Sequence, residues 1–176
     1  MDAQVEKAMA KWPNVPHCYG WLALDARGDW YMRDERIQAA GPFPQVKGSR
    51  IQHEKLREFI ERNYARDEAG SWFFQNGPQR VYVELEAAPW IWRLRPGDGG
   101  APALVSHTGI PARAESVWLD ERGRLFVGTD LGLGVVHTQD MEAASDAVES
   151  GAWRPSETTF DALVGRFGVR LRPAPG

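Results

Sequence analysis

The stretch Gln75-Asn76-Gly77-Pro78-Gln79-Arg80 sets three amides and a guanidinium between two runs rich in aromatic residues. Amides both donate and accept hydrogen bonds, and a guanidinium offers a fork of donors. Over an aromatic floor, such groups can hold a small polar or anionic ligand. A plainer role also accounts for them, because Asn-Gly suits the backbone of a solvent-exposed turn. The ligand-binding candidates are Gln75, Asn76, Gln79 and Arg80, with Trp90 as aromatic partner and His107, Asp130 and His137 as further polar groups.

Other reactive residues are sparse. The four histidines are His17, His53, His107 and His137, and none lies in a His-Glu-x-x-His pair. Cys18 has no second cysteine to join it at a metal or in a disulfide. No metal ligand and no cofactor is assigned. The serines lie outside any Gly-x-Ser-x-Gly elbow. Ser106 and His107 are adjacent, and neighbours on a strand point to opposite faces, so they do not make a nucleophile–base pair. Gly132-Leu133-Gly134 leads into Val135-Val136, which reads as a strand, whereas a dinucleotide fingerprint needs a helix there. No catalytic residue is assigned.

The elements that must carry these residues are announced by a turn that occurs three times. The copies are Asp25 to Gly28, Asp67 to Gly70 and Asp120 to Gly123, each followed within two residues by an apolar or aromatic pair. Asp bonds the backbone at the start of a turn, and Gly accepts the positive φ near its end. Turns of this kind join antiparallel strands. Val81, Val83 and Leu85 alternate with Tyr82, Glu84 and Glu86, which is the period of a half-buried strand. The matching Leu24-Asp25-Ala26-Arg27-Gly28 and Leu119-Asp120-Glu121-Arg122-Gly123 raise two readings, a duplication or repeated use of a common turn.

Helical signals are fewer. Residues 2–12 suit a short helix stopped by Pro13 and Pro16. The main helix is expected over 50–65, capped by Ser49 with Gln52 completing a capping box, and with Leu56, Phe59, Ile60 and Tyr64 as its buried stripe. Asp34 to Arg36 reads as a tight connection and 39–48 as a loop. Thr138 and Ser156 are expected to cap two C-terminal helices. The predicted fold is α+β, with mostly antiparallel hairpins in two related modules, each packed with one or two helices. The expected divisions are an N-terminal segment 1–17, a first module 18–95, a Gly/Pro-rich linker 96–102 and a second module 103–176.

Composition limits the partners. Net charge is −3, so no general basic field draws nucleic acid or an anionic membrane. No stretch reaches the length of a membrane span, and the N-terminus lacks the apolar run of a signal peptide. The chain therefore reads as soluble and cytoplasmic. Its eight tryptophans suit core packing, ligand stacking or an interface.

The segments RGDWYM, LREFIERNY, DEAGSWFF, RVYVELEAAPWIWRL, DERGRLFV and GLGVVHTQDM resemble an uncharacterised proteobacterial domain-of-unknown-function family over about residues 18 to 148. Their order is also similar to a second uncharacterised bacterial family, one with repeated α/β structural motifs, for which a signalling role has been suggested. The loop 39–48 is longer than that pattern. The resemblance implies a fold and carries no catalytic residues. Together these readings describe a non-enzymatic binding or regulatory module for a small polar ligand or a protein partner. The alternatives are a structural homodimer paired through an aromatic strand, and an enzyme using His107 or His137 with a carboxylate such as Asp130.

Overall fold

A computed structural model describes residues 1–176. The chain forms two compact modules, one from residues 1–25, 29–86 and 170–176 and the other from 26–28 and 87–169.

The first module holds β1 (Cys18–Leu24), β2 (Trp30–Met32), β3 (Ser49–Arg50), β4 (Tyr64–Arg66), β5 (Trp72–Asn76) and β6 (Gln79–Leu85), with α1 (Ala3–Lys11), α2 (Glu35–Ala40) and α3 (Glu54–Arg62). Its sheet order is β3-β2-β1-β6-β5-β4. Every neighbouring pair is antiparallel except the central pair β1 and β6. A parallel pair needs a long crossover, and the chain supplies one by building the outer strands and α2 and α3 between β1 and β6.

The second module holds β7 (Trp90–Arg95), β8 (Ala103–Ser106), β9 (Pro111–Ala112), β10 (Ala114–Leu119), β11 (Leu125–Thr129), β12 (Gly132–Val136) and β13 (Ser156–Glu157), with α4 (Met141–Glu149) and α5 (Phe160–Phe167). Its order is β13-β10-β11-β12-β7-β8-β9. Counted from its own first strand, each module reads 3-2-1-6-5-4 around one central parallel pair, and β13 is an addition to the second. The architecture is α+β with two similar sheet modules, as the turn pattern predicts.

The three Asp turns form as their chemistry requires. Asp67 Oδ1 accepts from the amides of Ala69 and Ser71, and Asp120 Oδ1 accepts from those of Arg122 and Arg124. Asp25 Oδ1 accepts from the Asp29 amide. Equivalence by topology differs from equivalence by sequence. The Asp67 turn joins β4 to β5 and the Asp120 turn joins β10 to β11, so these two occupy matching places, whereas the Asp25 turn joins β1 to β2.

Several boundaries depart from the sequence reading. The main helix is shorter than 50–65, running over Glu54–Arg62 and capped by His53, whose Nδ1 accepts from the Leu56 amide. Ser49 and Arg50 instead pair with Met32 and Tyr31, and Tyr64 pairs with Phe74, so strand pairing claims both ends. Leu56 is 42% exposed and lies outside the core, while Ile60 is buried. Residues 35–40 are helical, with Asp34 capping through a bond from the Ile37 amide. His137 caps the short turn that precedes α4, and Thr159 caps α5, because Ser156 is drawn into β13 beside Trp118. The run 96–102 connects β7 to β8 within one sheet, since Trp90 to Trp92 pair with Gly134 to Val136. The chain passes from the first sheet to the second at residues 86–89.

Core packing explains most of the aromatic content. Trp30, Trp72, Trp90, Trp92 and Trp153 are all buried. Trp92 donates from Nε1 to the Val127 carbonyl across the second sheet. Gly134 makes room for it, because a Cβ there would stand 2.2 Å from Trp92 Nε1. Gly134 therefore serves close approach between strands, while Gly132 takes a positive φ of 119° where the chain leaves the hairpin loop.

Candidate functional site

The polar stretch of residues 75–80 is the hairpin between β5 and β6. Gln75 lies opposite Arg80, and Asn76 lies opposite Gln79. Successive strand residues point to opposite faces. The hairpin therefore presents Gln75 and Arg80 on one face of the sheet and Asn76 and Gln79 on the other.

On the first face, Gln75 is 2% exposed. Its Nε2 donates to the Gly77 carbonyl at 3.0 Å, while its Oε1 is buried with no hydrogen-bond partner. Leaving a buried acceptor unmet costs about 1–3 kcal/mol. Gln75 lines a depression of about 200 Å³ together with His17, Arg80, Trp12, Val15 and Pro78.

Arg80 is held over an aromatic floor. Its guanidinium lies 3.9 Å from the centroid of the Phe73 ring. Nη1 donates to Tyr82 Oη at 3.3 Å, and Tyr82 Oη donates in turn to Asp67 Oδ2 at 3.0 Å. The Tyr82 ring stacks on Tyr19 and meets His17 edge-on. The Arg80 side chain thus has a fixed position, and its other N–H groups are open to a bound anion. Arg80 also lines a second depression of about 500 Å³, together with Arg66, Asp67, Glu68 and Ala69. Burial works to raise the Asp67 carboxyl, but the bonds from Ser71, Tyr82 and Ala69 and the charge of Arg80 outweigh it and hold the group below the usual range. Burial and the Asp67 carboxylate push the Tyr82 phenol up, against the opposing influence of Arg80. At neutral pH this gives a fixed chain of carboxylate, phenol and guanidinium.

The remaining candidates lie in the second module. Trp90 is 5% exposed and donates from Nε1 to the Leu131 carbonyl. His107 packs 6.0 Å from it and accepts at Nδ1 from the Ile91 amide. His137 is buried and accepts at Nδ1 from the Gln139 amide. Asp130 is exposed and accepts from the Arg113 amide at 2.7 Å. Each of these bonds ties a side chain to backbone in its own module. The structure gathers Gln75 and Arg80 at one depression and places Asn76 and Gln79 on the opposite face. No three His, Cys, Asp or Glu side chains cluster as a metal site would need.

Three members of the site escaped sequence reasoning. His17 and Trp12 reach the Gln75 depression from a segment remote in sequence, and no local pattern announces that meeting. Asp67 reads as a turn residue, and its second oxygen's bond to Tyr82 arises only when the β4–β5 and β5–β6 pairings bring that turn beside β6.

The second module provides an internal comparison. Its β11–β12 hairpin occupies the same topological place and also has a two-residue loop. The pair matching Gln75 and Arg80 there is Gly128 and Leu133, both buried. A Cβ on Gly128 would stand 2.7 Å from the Phe167 ring, so an aromatic side chain from α5 fills that place. The hairpin therefore closes with a buried glycine–leucine pair in one module and with a buried amide and a half-exposed guanidinium beside a depression in the other.

These features define a two-module α+β protein in which each module is a mixed sheet of the same strand order. The chain belongs to the family DUF2944, described as "Protein of unknown function (DUF2946)", whose model matches residues 1–173. Its fold is similar to that of a DUF1285 family protein from Silicibacter pomeroyi DSS-3, at 13% identity and a TM-score of 0.52, covering 83% of this chain and 84% of that one. A DUF1285 family protein from Shewanella baltica OS155 matches at 12% identity and a TM-score of 0.49, covering 72% of this chain and 91% of that one. No curated protein matches the chain. No helix is long and apolar enough to cross a membrane.

Proposed function

We propose that the first module binds a small polar anion that also carries a hydrogen-bond donor, such as a carboxylate with a neighbouring N–H or O–H. The observation that carries this reading is the buried side chain of Gln75, whose Oε1 has no partner and which borders a depression shared with Arg80. An acceptor in that position asks for a donor from a ligand, and a guanidinium pinned over Phe73 asks for an anion. The complementary pair selects a bifunctional molecule over a simple anion. The proposed role is binding without catalysis, in which the groups that converge here hold charge and hydrogen bonds in place.

Calorimetric titration with a panel of small hydroxy acids, amino acids and matched monofunctional acids tests the reading. We expect saturable binding of a bifunctional member, lost in Arg80→Ala and weakened about tenfold or more in Gln75→Met. Equal binding by wild type and both folded variants would remove the site from consideration.

A further inference from the structure

The opposite face of the same hairpin holds a cavity of different chemistry. Asn76 and Gln79 border an apolar volume of about 270 Å³. Leu22, Ile60 and Phe74 form buried walls, and Met32 and Leu56, at 46% and 42% exposure, form an open rim. The exposure of Leu56 breaks the buried stripe that helical spacing predicts for α3. The lining includes the half-buried thiol of Cys18 and no carboxylate, ammonium, guanidinium or imidazole.

Those walls restrict the occupant. A charged group entering the cavity loses its hydration with no counter-charge to meet it, so a neutral molecule is favoured. An apolar cavity of about 150 Å³ is enough for benzene, so this volume admits a larger neutral body. At the polar edge, Asn76 is exposed and its amide makes no bond within the protein, and Gln79 spends its Nε2 on the Pro16 carbonyl while its own carbonyl stays open. We propose that this cavity binds a small neutral molecule with a bicyclic aromatic body or its aliphatic equivalent, and with one hydroxyl or amide end held by Asn76 and Gln79. This site is independent of the anion reading, because its lining shares no residue with the Gln75 depression.

Cys18 supplies the readout, being the single cysteine of the chain and part of the cavity wall. The test measures the rate of Cys18 modification by dithiodipyridine in the intact protein, with and without naphthalenemethanol. If only the empty cavity reacts, modification slows about elevenfold at ten times the Kd, following the linkage factor for one site. Arg80→Ala should leave this protection unchanged. Leu56→Trp, on an exposed helical position, and Val81→Phe, from the sheet side, should each remove it by filling the volume, with circular dichroism verifying the fold. Naphthoate should protect at least tenfold more weakly than the alcohol. The proposal is overturned if naphthalenemethanol gives no protection up to its solubility limit, if protection survives in the folded Leu56→Trp protein, or if naphthoate protects equally well.

Discussion

Gln75→Met separates a binding role from a structural one by the sign of its effect on stability. The substitution keeps the length of a buried side chain that is 2% exposed. It deletes the Nε2 bond to the Gly77 carbonyl, a loss of about 1 kcal/mol, and that carbonyl sits in a half-exposed turn where water can replace the donor. It also deletes the unpartnered Oε1, which relieves about 1–3 kcal/mol of unmet desolvation. The second term equals or exceeds the first, so the variant should match the wild type or gain up to about 2 kcal/mol. For a chain of this size each kcal/mol corresponds to about 2–4 °C in Tm. Urea unfolding followed by tryptophan fluorescence, paired with a thermal melt, reads the difference, and calorimetry reads the accompanying loss of ligand affinity. A group that serves binding at the expense of stability gives this combination. A destabilisation beyond about 1 kcal/mol would refute the reasoning, because it would mean that both ends of the amide are satisfied in the free protein.

Other perturbations test the frame that holds the site. Gly134→Ala should destabilise the second module by about 2–4 kcal/mol, through overpacking against Trp92 and loss of its bond to Val127, as read by the urea midpoint. Trp90→Phe should cost about 1–3 kcal/mol through the lost Leu131 bond and lost volume, while leaving anion affinity at Arg80 unchanged in calorimetry. The Asp140 carboxyl is lowered first by the bond from Arg93 at 2.6 Å, with the Leu94 amide adding to the effect against opposing burial. A depressed folded-state pKa means that the unfolded chain binds more protons, so its contribution is complete above the unfolded carboxylate value of about 3.9 and disappears as pH falls through the lower folded value. The fall in urea midpoint between pH 5 and pH 3 should accordingly be shallower in Asp140→Asn, and an unchanged slope would remove Asp140 from the acid response.

Much of the fold was legible in local chemistry. Asp at the start of a turn and Gly near its end specify backbone geometry within five residues, and all three turns form. The Val81-Val83-Leu85 alternation identifies β6 for the same reason, since a strand's period is two. Helix ends were less legible because their residues had a second use. Ser49 and Tyr64 suit a helix locally, yet each pairs with a strand distant in sequence, and only the assembled sheet reveals that preference. The split of the polar turn between two faces follows from its register, which the two-residue loop fixes. The orphan state of Gln75 does not, because it depends on where α1 and the residues after it come to rest.

The repeat itself offers a last test of why the first hairpin is polar. Gly128 and Leu133 occupy in the second module the places that Gln75 and Arg80 occupy in the first, and the Phe167 ring fills the space beside Gly128. The strand order thus accepts an apolar pair at this position, and nothing in the shared architecture demands an amide and a guanidinium there. Arg80→Leu moves the second module's choice into the first. Arg80 is half-exposed, so the substitution loses a cation–π contact with Phe73 worth about 0.5–1 kcal/mol and one bond to Tyr82, and the new leucine recovers part of this by covering the same ring. The net change should stay within about 1 kcal/mol, with the far-ultraviolet circular dichroism of the wild type preserved. Binding of the bifunctional acid should disappear. If Arg80→Leu instead unfolds the first module, the guanidinium is a structural clamp for Tyr82 and Asp67, and the contrast between the two hairpins reflects different packing solutions with no bearing on a ligand.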